Sequence, residues 1–455
     1  MAKLLSTQLR INMASGVFVT FISLGITTIS YPLYLHFLGY EQYGLWLVMS
    51  TVLTFAQLGN LGINSAISKV VAEEYGRNDF VMIQKNMTVA ITLLLTSGFF
   101  VLLSVIIFNT QIVAIFKLSQ HNAYLVGWLL PYIGVISVYV FIVEICNSAL
   151  SGLGRMDLAN SAQLIGRITT IIVSAGLLNL GFGIKSLLIA NFVSYVVINI
   201  QSIYHVRQIL KTRLIIFGFF DRDVCKRLMR LGGFMSASSV VLMLFDPFNK
   251  MMLSRYVGVS IVPVYDLAFR GCMQLRGLVA SALQAFMPEV SRLAAKVNLK
   301  SFFKICALNK KAVGLILLSG ATVFLPIGIF CDPLLRLWLG KSFDLALPFA
   351  FRISLITVFI SLLAVPSYYT LLGLGKVHHL TISHLIQSGV NVCVVLVIVY
   401  LKPSLLLDNI YFSILAGTCF SSIYLTYNLH KELVSLKIRS DLFTLPFDKD
   451  SLCED

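Results

Sequence analysis

Eight ionisable side chains lie inside long apolar stretches of this sequence: Glu144, Arg167, Asp246, Lys250, Asp266, Arg270, Arg276 and Arg352. A charge at the centre of a bilayer costs a few kcal/mol on insertion scales, so such residues ordinarily face a protein interior and have a role there. Asp246 and Lys250 are four residues apart and share one helix face, and Asp266 and Arg270 repeat that spacing. Between them the chain turns near Gly258. Asp246 and Arg270 are each twelve residues from that glycine, and Lys250 and Asp266 are each eight from it. On antiparallel helices equal spacing means equal depth, so Asp246–Arg270 and Lys250–Asp266 are expected as cross-helix ion pairs. Pairs that opened during a transport cycle would gate or couple it. Glu144 is placed to answer Arg167 across a short loop, as a further pair of that kind.

Arg276 has no acidic neighbour at helical spacing, and neither has Arg352. Arg352 and Arg167 have the alternative of snorkelling to the membrane surface; Arg276 is too deep in its run for that. A guanidinium fork matches phosphate oxygens with two hydrogen bonds. Arg276, helped by Arg270, Lys250 and Arg352, is therefore the candidate site for an anionic, phosphate-bearing cargo.

Catalytic and metal chemistry find little support. No Walker motif is present, which argues against ATP hydrolysis by this chain. The eight cysteines include no CxxC pair and lie mostly in or beside apolar runs, where a thiol behaves as a small hydrophobe. His378-His379 read as a solvated loop. No cofactor and no metal are expected, and the chain is expected not to be an enzyme.

The elements that must position the charges are membrane helices. Of 455 residues, 58% are apolar and 12% charged, against roughly a quarter charged in soluble domains. Lipid must be the solvent. The net charge of +15 would fit nucleic acid, but the basic residues sit in short breaks between apolar runs, where they set topology. A crossing needs about 20 apolar residues. That gives twelve spans, near 13–36, 43–66, 87–108, 124–149, 160–180, 186–204, 233–254, 262–288, 312–330, 347–372, 380–401 and 409–427. The fifth and sixth, and the eleventh and twelfth, are separated by only a few residues. The first run is too long for the core of a cleaved signal peptide and is expected to be retained. With the N-terminus cytoplasmic, 24 Lys and Arg face the cytoplasm, 6 face the other side and 5 lie in spans. That bias places both termini inside.

Two turns recur 221 residues apart. LSGLGR at 150–155 joins spans four and five, and LLGLGK at 371–376 joins spans ten and eleven. The expected organisation is an all-α polytopic membrane protein of two parallel-repeat, six-helix halves around a central cavity, an arrangement found in transporters. The halves are residues 1–204 and 233–427, with a basic cytoplasmic linker at 205–232 and a cytoplasmic tail at 428–455. The linker and the 289–311 segment mix cationic and bulky apolar residues, as helices lying on an anionic leaflet do.

Several stretches together resemble one family: FLGYEQYGLW after the first span, SGLGRMDLANS after the fourth, Asp246-x-x-x-Lys250 followed by RYVG and YDLAFR, and PLLRLWLG with LLGLGK around the tenth. They look like the polysaccharide flippases of the multidrug/oligosaccharidyl-lipid/polysaccharide exporter superfamily, and within it most like Wzx-type O-antigen transporters. The resemblance covers nearly the whole chain. It implies a bacterial inner-membrane protein that moves undecaprenyl-diphosphate-linked oligosaccharide from the cytoplasmic to the periplasmic leaflet. It also implies the bilayer and polysaccharide assembly proteins as partners, and no nucleic acid. The related peptidoglycan-precursor flippases have fourteen spans and arginines in the first helix. Here there are twelve spans, and the first carries Ser23, Thr27, Thr28 and Ser30, which argues against that substrate. The rival readings are a drug/cation antiporter of the same superfamily, a membrane polysaccharide polymerase or ligase, and a scaffold for glycan assembly. An antiporter for cations should have an acidic cavity, and a polymerase or ligase should have a substantial outer loop.

Overall fold

The computed structural model describes residues 2–60, 62–210, 221–283, 290, 293, 299–403 and 406–444, and among these every regular element is helical. In chain order they are α1 (Ala2–Ala56), a short turn (Gln57–Asn60), α2 (Ile63–Gly76), α3 (Phe80–Ile107), α4 (Asn109–Ile115), α5 (Gln120–Gly152), α6 (Met156–Asn179), α7 (Lys185–Leu210), α8 (Arg222–Tyr256) and α9 (Val262–Leu283). Then come α10 (Leu299–Ser319), a wide turn of helix (Gly320–Phe324), α11 (Leu325–Ile329), α12 (Cys331–Leu339), α13 (Leu347–Leu363), α14 (Val365–Gly373), α15 (Val377–Leu401) and α16 (Leu406–Thr444).

Nine described helical stretches are long and apolar enough to cross a membrane. The twelve expected spans are consistent with them. The first two run together in α1, which changes direction at Gly39, where φ is 66°. The seventh and eighth lie on α8 and α9, whose Asp246, Lys250, Asp266, Arg270 and Arg276 lower their apolarity. The second span stops earlier than expected. The first long helix ends at Ala56, and α2 is a separate amphipathic helix.

Contacts divide the molecule into two compact units. The first comprises Met1–Leu267 with Leu335–Leu347 and Val399–Leu407; the second comprises Ala268–Leu334, Pro348–Ile398 and Asp408–Asp455. In the first, α2 buries Ile63, Ile67, Val70 and Val71 against Ile83, Met87 and Leu94 of α3, Phe141 and Ile145 of α5, and Val224 and Leu228 of α8. Arg227 reinforces that packing, with its Nη2 2.6 Å from Glu73 and its Nη1 2.9 Å from Glu74. The two glutamates hold its guanidinium above its usual range. Asp221 caps α8 by accepting from the backbone N–H of Asp223 and Val224, bonds that hold its carboxyl below the usual range. Residues 222–231, expected to lie on the leaflet, are the first turns of α8; Val224 and Leu228 pack into protein, and Arg222, Asp223, Lys226, Met229 and Arg230 are exposed. Residues 211–220 of that segment lie outside the described residues, as do most of 284–298 and the last residues of the tail.

The recurring turns are one structure built twice. Arg155 N–H donates to Leu150 O at 3.0 Å and Gly154 N–H to Ser151 O at 3.1 Å; Lys376 N–H donates to Leu371 O at 2.9 Å and Gly375 N–H to Leu372 O at 3.0 Å. This six-to-one, five-to-two pattern ends a helix on a left-handed residue. Gly154 and Gly375 both have φ of 75°, which explains the second glycine of each motif.

The helix pairs after these turns, α6 with α7 and α15 with α16, pack differently. In the first unit Ser194 Oγ donates to Gly166 O at 2.8 Å, and a Cβ on Gly166 would come within 2.5 Å of Ile198. In the second, α15 presents His379, Ser383, Gln387 and Asn391 at four-residue intervals to Tyr424, Ser421, Thr418 and Ser413 of α16, at 2.8 to 3.3 Å. Lipid supplies no hydrophobic drive for helices to associate, so small residues and interhelical hydrogen bonds hold them together.

Candidate functional site

In the first unit Lys250 stands between two carboxylates. Lys250 comes from α8, and its side chain is 1% exposed. Its Nζ lies 2.8 Å from Asp246 Oδ2, one turn away, and 2.5 Å from Asp266 Oδ1 on α9. Asp266 is also 1% exposed, whereas Asp246 is 31% exposed. Tyr31 Oη of α1 donates to the other oxygen of Asp266 at 2.5 Å. That phenol is wedged edge-on against the rings of Tyr43 and Trp338, and Trp338 Nε1 donates to Thr28 O at 2.7 Å. The equal-depth reasoning thus holds for Lys250 and Asp266. Two carboxylates neutralise Lys250, as a cation so deep in low dielectric requires. Tyr31 carries no sequence signal beyond its place in an apolar run.

Glu144 on α5 accepts at Oε2 from the side-chain amides of Asn60, at 3.3 Å, and Asn64. The break between α1 and α2 brings the two amides together: Gly62 is left-handed at φ 69°, and Asn60 Oδ1 accepts from Asn64 N–H. Arg167 is exposed on α6. The pair Asn60-x-x-x-Asn64 around a glycine turn was the available signal for this arrangement.

In the second unit Arg276 on α9 donates from Nε to Ser361 Oγ of α13 at 2.9 Å. Tyr368 and Tyr369 of α14 and His384 of α15 lie within electrostatic range of its guanidinium, and the Tyr368 and His384 rings are 6.0 Å apart. Among the described residues no carboxylate pairs with Arg276, and its terminal nitrogens make no hydrogen bond. Arginine in a bed of hydroxyls, phenols and an imidazole can take an anion through two parallel bonds. Arg270 is exposed on α9 in the same unit.

Arg352 behaves otherwise than expected. It pairs through Nη2 with Asp332 of α12, and its Nε donates to Gly328 O at 3.3 Å. Both partners are solvent- or lipid-accessible, at 46% and 43% exposure. The acid stands twenty residues upstream, on another element, so helical spacing could not reveal it. Arg352 and Ser361 are nine residues apart on α13, roughly 14 Å at 1.5 Å per residue. The fold therefore joins Asp246, Lys250 and Asp266 but keeps Arg352 well away from the Ser361 that holds Arg276. Among the described residues no group of three or more His, Cys, Asp or Glu could hold a metal ion.

Comparison with known proteins agrees with this architecture. The model of the family "Polysaccharide biosynthesis protein" matches residues 9–294. Two curated relatives, from Shigella flexneri and Shigella dysenteriae, both carry the description "Putative O-antigen transporter". The first is 23% identical over 74% of this chain and 78% of its own length. The second is 25% identical over 58% of this chain and 66% of its own length, just under two thirds. Among solved structures, an inward-facing multidrug resistance MATE family transporter of the MOP superfamily matches with a TM-score of 0.72 at 17% identity, covering 95% of this chain and 96% of that one. An outward-facing MATE family transporter of the same superfamily matches at 0.62 and 17%, covering 94% and 96%. At such identities the likeness is one of fold.

Proposed function

We propose that this chain, which belongs to the polysaccharide biosynthesis protein family, is a flippase. It carries undecaprenyl-diphosphate-linked oligosaccharide from the cytoplasmic to the periplasmic leaflet of a bacterial inner membrane. The observation that carries the proposal is Arg276, a deep guanidinium with no carboxylate partner among the described residues and with two terminal nitrogens uncommitted. In a low-dielectric site such a cation favours an anion, and a diphosphate supplies the matching oxygens. The O-antigen transporter description of the relatives supports that cargo.

In this reading Arg276 is the principal diphosphate contact. Arg270 and Arg352 are cations the headgroup meets in passage, and Lys250 joins them only in a state where it lets go of a carboxylate. Asp246, Asp266, Glu144 and Arg167 gate or couple the movement. The sugar crosses among polar side chains while the polyprenyl tail stays in lipid. Access alternates as the two six-helix halves, 1–204 and 233–427, rock about the linker at 205–232. Both termini are cytoplasmic, and the chain is a carrier rather than an enzyme.

The test is Arg276→Ala in cells lacking the native gene. Surface polysaccharide should be lost on a glycan gel while the variant remains in the membrane at normal abundance. Normal polysaccharide in that strain would sink the assignment. The MATE fold supports a second reading, a drug/cation antiporter. An unpaired arginine would repel such a cargo, so stabilisation of the purified protein by cationic drugs would favour that alternative.

A further inference from the structure

We propose that the first unit holds a binding site for an anionic phospholipid of the surrounding bilayer, a function separate from the transported cargo. Its phosphate would sit between Lys117 and Arg255, and one acyl chain would lie in the cleft beside them. Lys117 follows α4, and Arg255 stands in the last turn of α8, 138 residues later. The fold brings both onto one aromatic ring. Lys117 Nζ is 5.5 Å, and the Arg255 guanidinium carbon 5.7 Å, from the centre of Tyr256. Among the described residues neither cation has a carboxylate within ion-pair distance; the one hydrogen bond of Arg255 goes from Nη1 to Ile115 O at 2.9 Å. Ser254 Oγ fastens the same connection by donating to Phe116 O at 3.3 Å. An anion beside that ring would be attracted by both cations.

The backbone is arranged for this. Lys117 has a φ of 49°, a left-handed conformation rare for a residue with a long side chain, and such outliers concentrate at binding sites. The connection Phe108–Ser119 lies between two membrane-crossing helices, so the cations stand at the level where headgroups end and hydrocarbon begins.

The second, independent feature is the cleft. It has a volume of about 570 Å³ and is walled by Phe55 of α1, Phe100 and Val101 of α3, Phe108 between α3 and α4, Ile115 of α4, and Met251 of α8. That size is within the roughly 300–1,000 Å³ of ligand sites. Ile115 and Phe116, whose carbonyls Arg255 and Ser254 hold, also line it, so the apolar cleft opens beside the cationic pair. Phe100 and Phe108 are more than half exposed, on a surface that lipid chains cover. A paired cationic headgroup seat continuous with an apolar trough is complementary to one anionic lipid.

The test uses the full-length purified protein in detergent, titrated with phosphatidylglycerol or with phosphatidylcholine of the same chains, and follows thermal unfolding. Phosphatidylglycerol should raise the midpoint saturably, and phosphatidylcholine should do so at least tenfold less potently. Lys117→Gln/Arg255→Gln should weaken the phosphatidylglycerol response tenfold or more, whereas the charge-retaining Lys117→Arg/Arg255→Lys should keep it. Val101→Trp, which fills the trough and leaves both cations, should weaken it too. Equal responses to the two lipids, an undiminished response in the glutamine variant, or full reproduction of the shift by inorganic phosphate alone would each overturn the proposal. Specific competition by a polyprenyl diphosphate that phosphatidylglycerol cannot match would overturn it as well, by giving the site to the cargo.

Discussion

Lys250 and Arg276 are both cations deep in apolar helices, and the protein treats them in opposite ways. Lys250 is clasped by Asp246 and Asp266, and Tyr31 completes the second carboxylate. Arg276 receives one serine hydroxyl and a ring of aromatic side chains. The first arrangement consumes its own charge. The second leaves a charge unspent, which is what binding an external anion requires. A buried ionisable residue therefore says little about function until its partners are known.

The comparison can be tested by removing each side in turn. The largest effect on stability is expected from Lys250→Ala, which leaves Asp266 buried without its cation. Loss of one partner of a buried pair costs about 3–5 kcal/mol, so the thermal midpoint of the solubilised protein should fall steeply. Lys250→Met combined with Asp266→Asn should recover much of that loss, because the fully buried carboxylate goes together with its cation and the charge that stays, on Asp246, is part-exposed. If the double variant is no more stable than the single one, the cluster is not a self-neutralising unit.

Arg276→Ala should give the reverse pattern. Truncating a desolvated charged contact costs about 2–5 kcal/mol of binding, so translocation in reconstituted vesicles should fall by well over tenfold. Folding should lose little, since one hydrogen bond to Ser361 contributes about 1 kcal/mol. Ser361→Ala is expected to be milder. It frees the Arg276 fork without removing it, and transport should drop a few-fold with a stability change near 1 kcal/mol. The smallest effect is expected from Arg352→Ala. Its partner Asp332 is accessible, and exposed pairs contribute roughly 0–1 kcal/mol. A transport defect there as deep as that of Arg276→Ala would mean that the headgroup path runs past both arginines.

The sequence determined what local rules and solvent can determine. Apolar length marked out membrane helices, with which the nine described stretches able to cross are consistent, because backbone groups in hydrocarbon must bond within their own helix. Equal spacing about Gly258 anticipated Lys250 opposite Asp266, because helical rise is regular. The glycine of each repeated turn anticipated the left-handed residues at 154 and 375, because only glycine takes that conformation without a steric cost. What only the tertiary structure decided was which distant side chains meet. Asn60 and Asn64 reach Glu144, Tyr31 reaches Asp266, Asp332 takes Arg352, and Lys117 reaches the Tyr256 ring. Each of these contacts crosses between elements whose rotation and depth are set by packing. Periodicity along one helix carries no information about the face its neighbour presents. Arg276 was conspicuous in the sequence for lacking an acid at helical spacing; the structure gave it Ser361 and aromatic neighbours and left its fork uncommitted among the described residues.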